Sequence, residues 1–193
     1  MTESTTKERK EVTNKPVKVP INGSTGPAIA AILTTIETIV KSNKPFYLPV
    51  PVDDIAEALG LVIQSLPLSE GLDGMLIKNK AYEPFKAVSN SRQAHVRQRF
   101  TLAHEIGHYV RKYQDWPDDT PTGEAEHRDQ VSAIGWDPDE MWANEFAANL
   151  LMPTATVERY WAAGMSEADM ADIFDVSVVA MHNRRLNLHL TDE

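Results

Sequence analysis

The sequence predicts an α+β fold in which a short, mostly antiparallel sheet packs on two buried helices and a further helical pair closes the chain. Three observations carry this. Between residues 61 and 88 the chain passes through short β-rich segments separated by turn residues. Over Arg97 to Tyr113 and Glu140 to Pro153, apolar residues recur at helical spacing. From Ser166 to Leu188 the helical pattern appears twice around a break. With 193 residues and 42% apolar content, the chain has material for one domain and an appendage.

Residues 1–26 have few large apolar groups and include Pro16 and Pro20, which predicts a disordered, basic leader. Lys7, Arg9, Lys10, Lys15 and Lys18 against Glu3, Glu8 and Glu11 put the first twenty residues at +2, so the rest of a chain of net charge −9 carries −11. An acidic body argues against direct nucleic-acid binding, which needs cationic surface, and suits a basic protein partner. From Pro27, a stripe of Ile29, Ile32, Leu33, Ile36, Ile39 and Val40 predicts a scaffold helix. It is too short to span a bilayer and carries Glu37, and the polar start is no signal peptide, so no membrane association is expected and the expected location is the cytoplasm.

A second helix is expected after Pro51-Val52-Asp53-Asp54, with Asp54 and Glu57 at capping-box spacing and Gly60 at its stop. Leu61 to Leu66, Met75 to Lys78 and Phe85 to Val88 then predict strands, with a turn through Glu70 to Gly74. An outer strand of such a sheet can grip an extended peptide by backbone hydrogen bonds.

In the helix from Arg97 to Tyr113, Phe100, Ala103, Ile106, Gly107 and Val110 form one apolar face. His104 and His108 are four residues apart and project from the same side, where two imidazoles can bind one metal ion. Glu105 then stands beside the water that the metal activates, which is the HExxH pattern of zinc peptidases. The chain has no cysteine, so a thiol nucleophile is excluded and any metal must be held by histidine and carboxylate. Zinc suits that donor set, and manganese or another divalent ion can replace it.

A long, acidic, turn-rich segment follows, from residue 114 to 139, and serves as a lid, a substrate-selecting surface or a solvated connector. Catalytic zinc takes three protein ligands, so a partner for the two histidines is needed. The extended metzincin motif is closed off, because Arg111 and Gln114 stand where it requires glycine and histidine. The buried helix that ends at Pro153 supplies a carboxylate instead. Glu140 and Asn144 share a face, so Glu140 can ligate the metal while Asn144 hydrogen-bonds a ligand, and Ala143 and Ala147 let the helix approach closely. Glu145 is the second choice and His127 the third. For an additional oxyanion donor the candidates are His182, Tyr109, Tyr160 and His127. In the final helical pair, shaped like a helix-turn-helix, Arg184 and Arg185 could touch phosphate. Glu167, Asp169, Asp172 and Asp175 make its first helix acidic, so the preferred reading is docking of the pair on the rest of the chain or on a protein partner.

Taken together, these residues resemble the ImmA/IrrE family of metallo-endopeptidases. The likeness covers about residues 50 to 188: Pro51-Val52-Asp53 and Leu59-Gly60, then Gln98-Arg99-Phe100-Thr101-Leu102-Ala103 leading into the histidine motif. It continues through Glu140, Ala143-Asn144, Phe146-Ala147-Ala148 and Leu150 to Pro153, and ends at Phe174, Val176-Ser177, Ala180 and Leu186. The resemblance implies a zincin-like domain, here residues 27–160, with the helix-turn-helix-like pair of 161–193 docked on it. It implies zinc held by His104, His108 and Glu140, with Glu105 as catalytic base. It also implies a substrate class: helix-turn-helix transcriptional repressors, whose cleavage relieves repression of mobile-element or stress-response genes. The acidic segment and the basic leader depart from the family pattern. The alternative is a metal-stapled regulator or antitoxin-like protein that sequesters a repressor or partner without cutting it.

Overall fold

The computed structural model describes residues 24–31, 48–122, 126–127 and 137–191. Residues 1–23 of the expected leader, the later part of the stripe that starts at Pro27, and much of the acidic segment lie outside the described residues.

Helix α1 occupies residues 25–31, so Pro27 falls in its first turn, where a missing N–H costs nothing. Ala28 and Ile29 are buried. Helix α2 (Val52–Ala58) follows Pro51, which supplies no side-chain cap, and starts two residues before the expected capping box at Asp54. The reason is burial: the earlier start places Val52 beside Ile55 and Ala56 on the inward face. Gly60, at φ 82°, ends the turn in a conformation that a Cβ would strain.

The sheet comprises β1 (Val62–Leu66), β2 (Gly74–Ile77), β3 (Lys86–Asn90) and the two-residue β4 (Glu126–His127), in the order β1-β3-β2-β4. β3 runs antiparallel to β2, and β2 antiparallel to β4, as expected of a mostly antiparallel sheet. β1 is parallel to β3, with Val62 opposite Lys86 and Leu66 opposite Asn90. Asn90, buried at the end of β3, donates to Leu72 O at 2.8 Å and accepts from Leu68 N at 3.2 Å. These bonds satisfy a polar group that burial would otherwise penalise, and they hold the β1–β2 connection so that Gly74 begins β2 against the next helix.

That helix, α3 (His95–His108), crosses the sheet and continues into one π turn, Tyr109–Tyr113. Every residue from Thr101 to His108 is buried, because the sheet covers one side and α4 (Pro138–Leu151) the other. Asp137 caps α4 by accepting from Asp139 N, and Pro138 occupies its first turn. Phe146, Leu150 and Leu151 of α4 are fully buried, each contributing about 1.5–3 kcal/mol. A short helix, α5 (Thr154–Ala162), follows Pro153 and was not expected; its only buried residue is Val157.

Helices α6 (Glu167–Phe174) and α7 (Val178–Asn187) are capped by Ser166 and Ser177. They are fastened to the rest by arginines. Arg99 on α3 bonds the Asp175 carboxylate at 3.0 Å and the Val50 carbonyl at 3.0 Å. Arg184 on α7 is buried and donates to Met152 O, Asn149 Oδ1 and Thr154 Oγ1. Arg185 bonds Glu167 and lies over the Trp161 ring. Arg184 and Arg185, the two residues that could touch phosphate, are both engaged inside the fold. No described helix is long and apolar enough to cross a membrane.

Candidate metal centre

A helix crossing decides where the ligands meet. Gly107 of α3 faces Ala143 of α4, and a Cβ at Gly107 would lie 3.2 Å from Ala143 Cα and 3.1 Å from Phe146 Cδ1. With no side chain between them the two helices approach closely, and Glu140, one turn before Ala143, arrives over His104 and His108. Asp139 fixes the start of α4 from the other side, through Arg111 Nε at 2.7 Å and Lys112 Nζ at 3.0 Å on the π turn. Two successive cations of the π turn thus meet one carboxylate at the start of α4.

His104, His108 and Glu140 form a cluster of three potential metal ligands. The His104 and His108 Nε2 atoms are 2.9 Å apart, and Glu140 lies 3.3 Å from the first and 3.0 Å from the second. Bonds from His104 and then His108 hold the Glu140 carboxyl well below the usual carboxylate range, so it is anionic. Asn144 Oδ1 is 3.0 Å from His104 Nδ1. An amide oxygen can only accept, so His104 carries a proton on Nδ1, and Nε2 is the nitrogen left to turn to a cation. His108 Nδ1 is buried and has no hydrogen-bond partner among the described residues.

These donors fit a divalent cation. Tetrahedral zinc with bonds of about 2.0–2.1 Å sets its ligand atoms about 3.3 Å apart, close to the 2.9–3.3 Å found among the three. Two imidazole nitrogens and a carboxylate are also the donor chemistry that zinc accepts.

Glu105 is 3% exposed and points to the sheet side of α3. A Cβ at Gly74 would overlap Thr101 Cγ2, stand 2.7 Å from Val88 O and 3.2 Å from Glu105 Oε1, so glycine at the start of β2 makes the room in which that carboxylate sits. Of the other ligand candidates, Glu145 accepts from the Thr25 hydroxyl at 2.9 Å, away from the histidines, and His127 lies in β4, its backbone paired with Met75. Of the oxyanion candidates, His182 bonds Glu167, and Tyr160 and Tyr109 pack on Phe174 and Phe85. Burial pushes the Tyr109 hydroxyl above the usual tyrosine value. The roles of Gly74 and Thr25 left no local signal, since each depends on a neighbour distant in the chain.

Two histidines and a carboxylate brought together by a motif helix and a second, closely crossed helix define a metallopeptidase of the zincin type. The family comparison is narrower. Residues 56–186 match the family model described as the IrrE N-terminal-like domain, and the chain belongs to the ImmA/IrrE family of metallopeptidases. No curated protein gives a significant match to the chain.

Proposed function

We propose that the protein is a zinc-dependent endopeptidase in which Glu105 is the catalytic base, and that its substrate is a helix-turn-helix repressor. The observation that carries the reading is the convergence of His104, His108 and Glu140, with Glu105 on the same buried turn of α3. When bound, the cation lowers the pKa of water and polarises a carbonyl. His104, His108 and Glu140 would hold it, and Asn144 keeps His104 in the tautomer that can. Glu105 accepts the proton of the attacking water and delivers it to the leaving amine. Its burial against Gly74 keeps competing solvent from that carboxylate and fixes its direction. The repressor as substrate rests on family membership and agrees with an acidic body that suits a basic protein.

The test is incubation of the purified protein with the repressor encoded beside its gene, with and without chelator. A discrete, chelator-sensitive cut is expected, and Glu105→Gln should lower the rate by about 10²–10⁴-fold while metal content stays unchanged. Derepression that survives Glu105→Gln would replace hydrolysis with sequestration.

A further inference from the structure

A groove of about 1160 Å³ runs between α3, α4 and α7. Asn144, whose amide holds His104, forms part of its wall, so the groove borders the metal centre with one residue shared between them. Val96 and Phe100 of α3, Met141 of α4, and Val179 and Leu186 of α7 line it with apolar side chains. Met141, Val179 and Leu186 are 54%, 69% and 51% exposed, too open to be part of the core, and they share one concave surface.

The groove side of α7 carries Val179, Asn183, Leu186 and Asn187, spaced so that they share a helical face. The Asn183 and Asn187 side chains are exposed and make no hydrogen bond among the described residues. A side-chain amide offers both a donor and an acceptor, the complement of a peptide group. The nearby arginines do not redirect the surface toward a polyanion: Arg184 and Arg185 are engaged within the fold, and Arg97 on the groove's rim is paired with Asp73. From Val179 to Leu186 the helix rises about 10 Å, the length of about three extended residues.

We propose that this groove seats the substrate polypeptide on one side of the scissile bond. About three residues of extended chain lie along α7, with at least two large aliphatic side chains lodged among Phe100, Met141, Val179 and Leu186. Asn183 and Asn187 bond the main chain. The proposal rests on the peptidase reading and makes α7 the element that selects the substrate. A peptidase must hold chain beside the bond it cuts, and an apolar channel that shares Asn144 with the ligand cluster is placed to do so.

The probe is a library of ten-residue peptides with randomised positions, passed over the immobilised full-length Glu105→Gln protein and identified by mass spectrometry. Retained peptides are expected to carry two or more Leu, Ile or Met residues. Adding Val179→Asp or Leu186→Asp, both at exposed positions where the fold tolerates charge, should weaken binding of a retained peptide about tenfold by fluorescence anisotropy. Asn183→Ala is a milder companion, and unchanged melting temperatures show that each variant folds. With Glu105 intact, the same substitutions should raise KM for that peptide and leave kcat near its starting value. Retention that is absent, or equal in all variants, overturns the groove, as does a wild-type dimer that Val179→Asp dissociates, since a second copy would then be the occupant. Val179-dependent retention without any cleavage upholds the groove and sinks the peptidase reading; cleavage with unaltered KM in every variant does the reverse.

Discussion

The α3–α4 crossing and the α6–α7 pair share one core but differ in how much polar fastening supplements the packing. At the crossing, Gly107 faces Ala143 and Phe146 so closely that even a Cβ would be crowded. The C-terminal pair sinks Met170, Phe174 and Met181 into the core but is pinned as well by polar bonds, half-buried Arg99 to Asp175 and buried Arg184 to the α4–α5 corner, and it leaves Val178, Val179 and Leu186 exposed. The difference follows from what each must do. Three ligand atoms have to meet within tenths of an ångström, and close-packed helices resist sliding because any displacement costs contacts on every side. Hydrogen bonds from a few long side chains fix a position while freeing the remaining faces, which suits an element that presents a surface.

If packing places the site, adding volume at it should be the most damaging change. Gly74→Ala puts a methyl 2.7 Å from a backbone carbonyl of β3, which cannot yield without breaking the β2–β3 ladder, and the protein is expected not to fold. Gly107→Ala is more informative. Its contacts at 3.1–3.2 Å force α4 outward slightly, at a cost of about 1–3 kcal/mol. The melting temperature and the affinity for zinc, measured by competition with a chelating dye, should fall together because Glu140 rides on α4. A lower melting temperature with unchanged zinc affinity would break the link between the crossing and the site.

Removing an attachment of the C-terminal pair should separate the two properties. Arg184→Met leaves Met152 O and two side-chain oxygens short of a donor in a buried setting, which costs about 2–4 kcal/mol. Amide exchange in α7 should accelerate, while zinc affinity stays within about twofold because no ligand is carried by that helix. A large loss of zinc affinity would mean that the two regions are mechanically one.

The same contrast explains what could be read from the residues alone. His104 with His108, and Glu140 with Asn144, were legible because ligand and partner spacings are local to one helix and helical geometry turns them into a shared face. The first three strands were legible from their composition, whereas the two-residue β4, inside the acidic segment, was not. The partners of Arg184 were not legible, because whether an arginine meets solvent or three oxygens of the fold depends on the α4–α5 corner some thirty residues earlier. The start of α2 at Val52 was set by burial of that residue, which outweighed the capping signal at Asp54. Helix α5 presents a mostly exposed surface and so has little periodicity to betray it. The parallel pairing of β1 with β3 and the bond from Thr25 to Glu145 are likewise tertiary facts with no local trace.

Two carboxylates give the finest form of the comparison. Bonds from His104 and His108 hold Glu140 far below the usual carboxylate range, and a bond from Arg185, aided by His182, lowers Glu167. A carboxylate whose pKa is depressed by folding binds its proton more readily in the unfolded chain. Its stabilisation is therefore complete above the unfolded carboxylate value of about 4.3 and drains away as pH falls below it. In chelator-treated protein, Glu140→Gln should lower the urea midpoint at neutral pH, and the gap to the parent should close in acid. Glu167→Gln should follow the same direction with an effect below about 1 kcal/mol that added salt removes, since its partner His182 is 46% exposed whereas His104 is fully buried. Should Glu167→Gln prove the costlier change, the polar fastening of the C-terminal pair would outweigh the ligand cluster. The division between a rigid site and a presented surface would then have to be drawn the other way round.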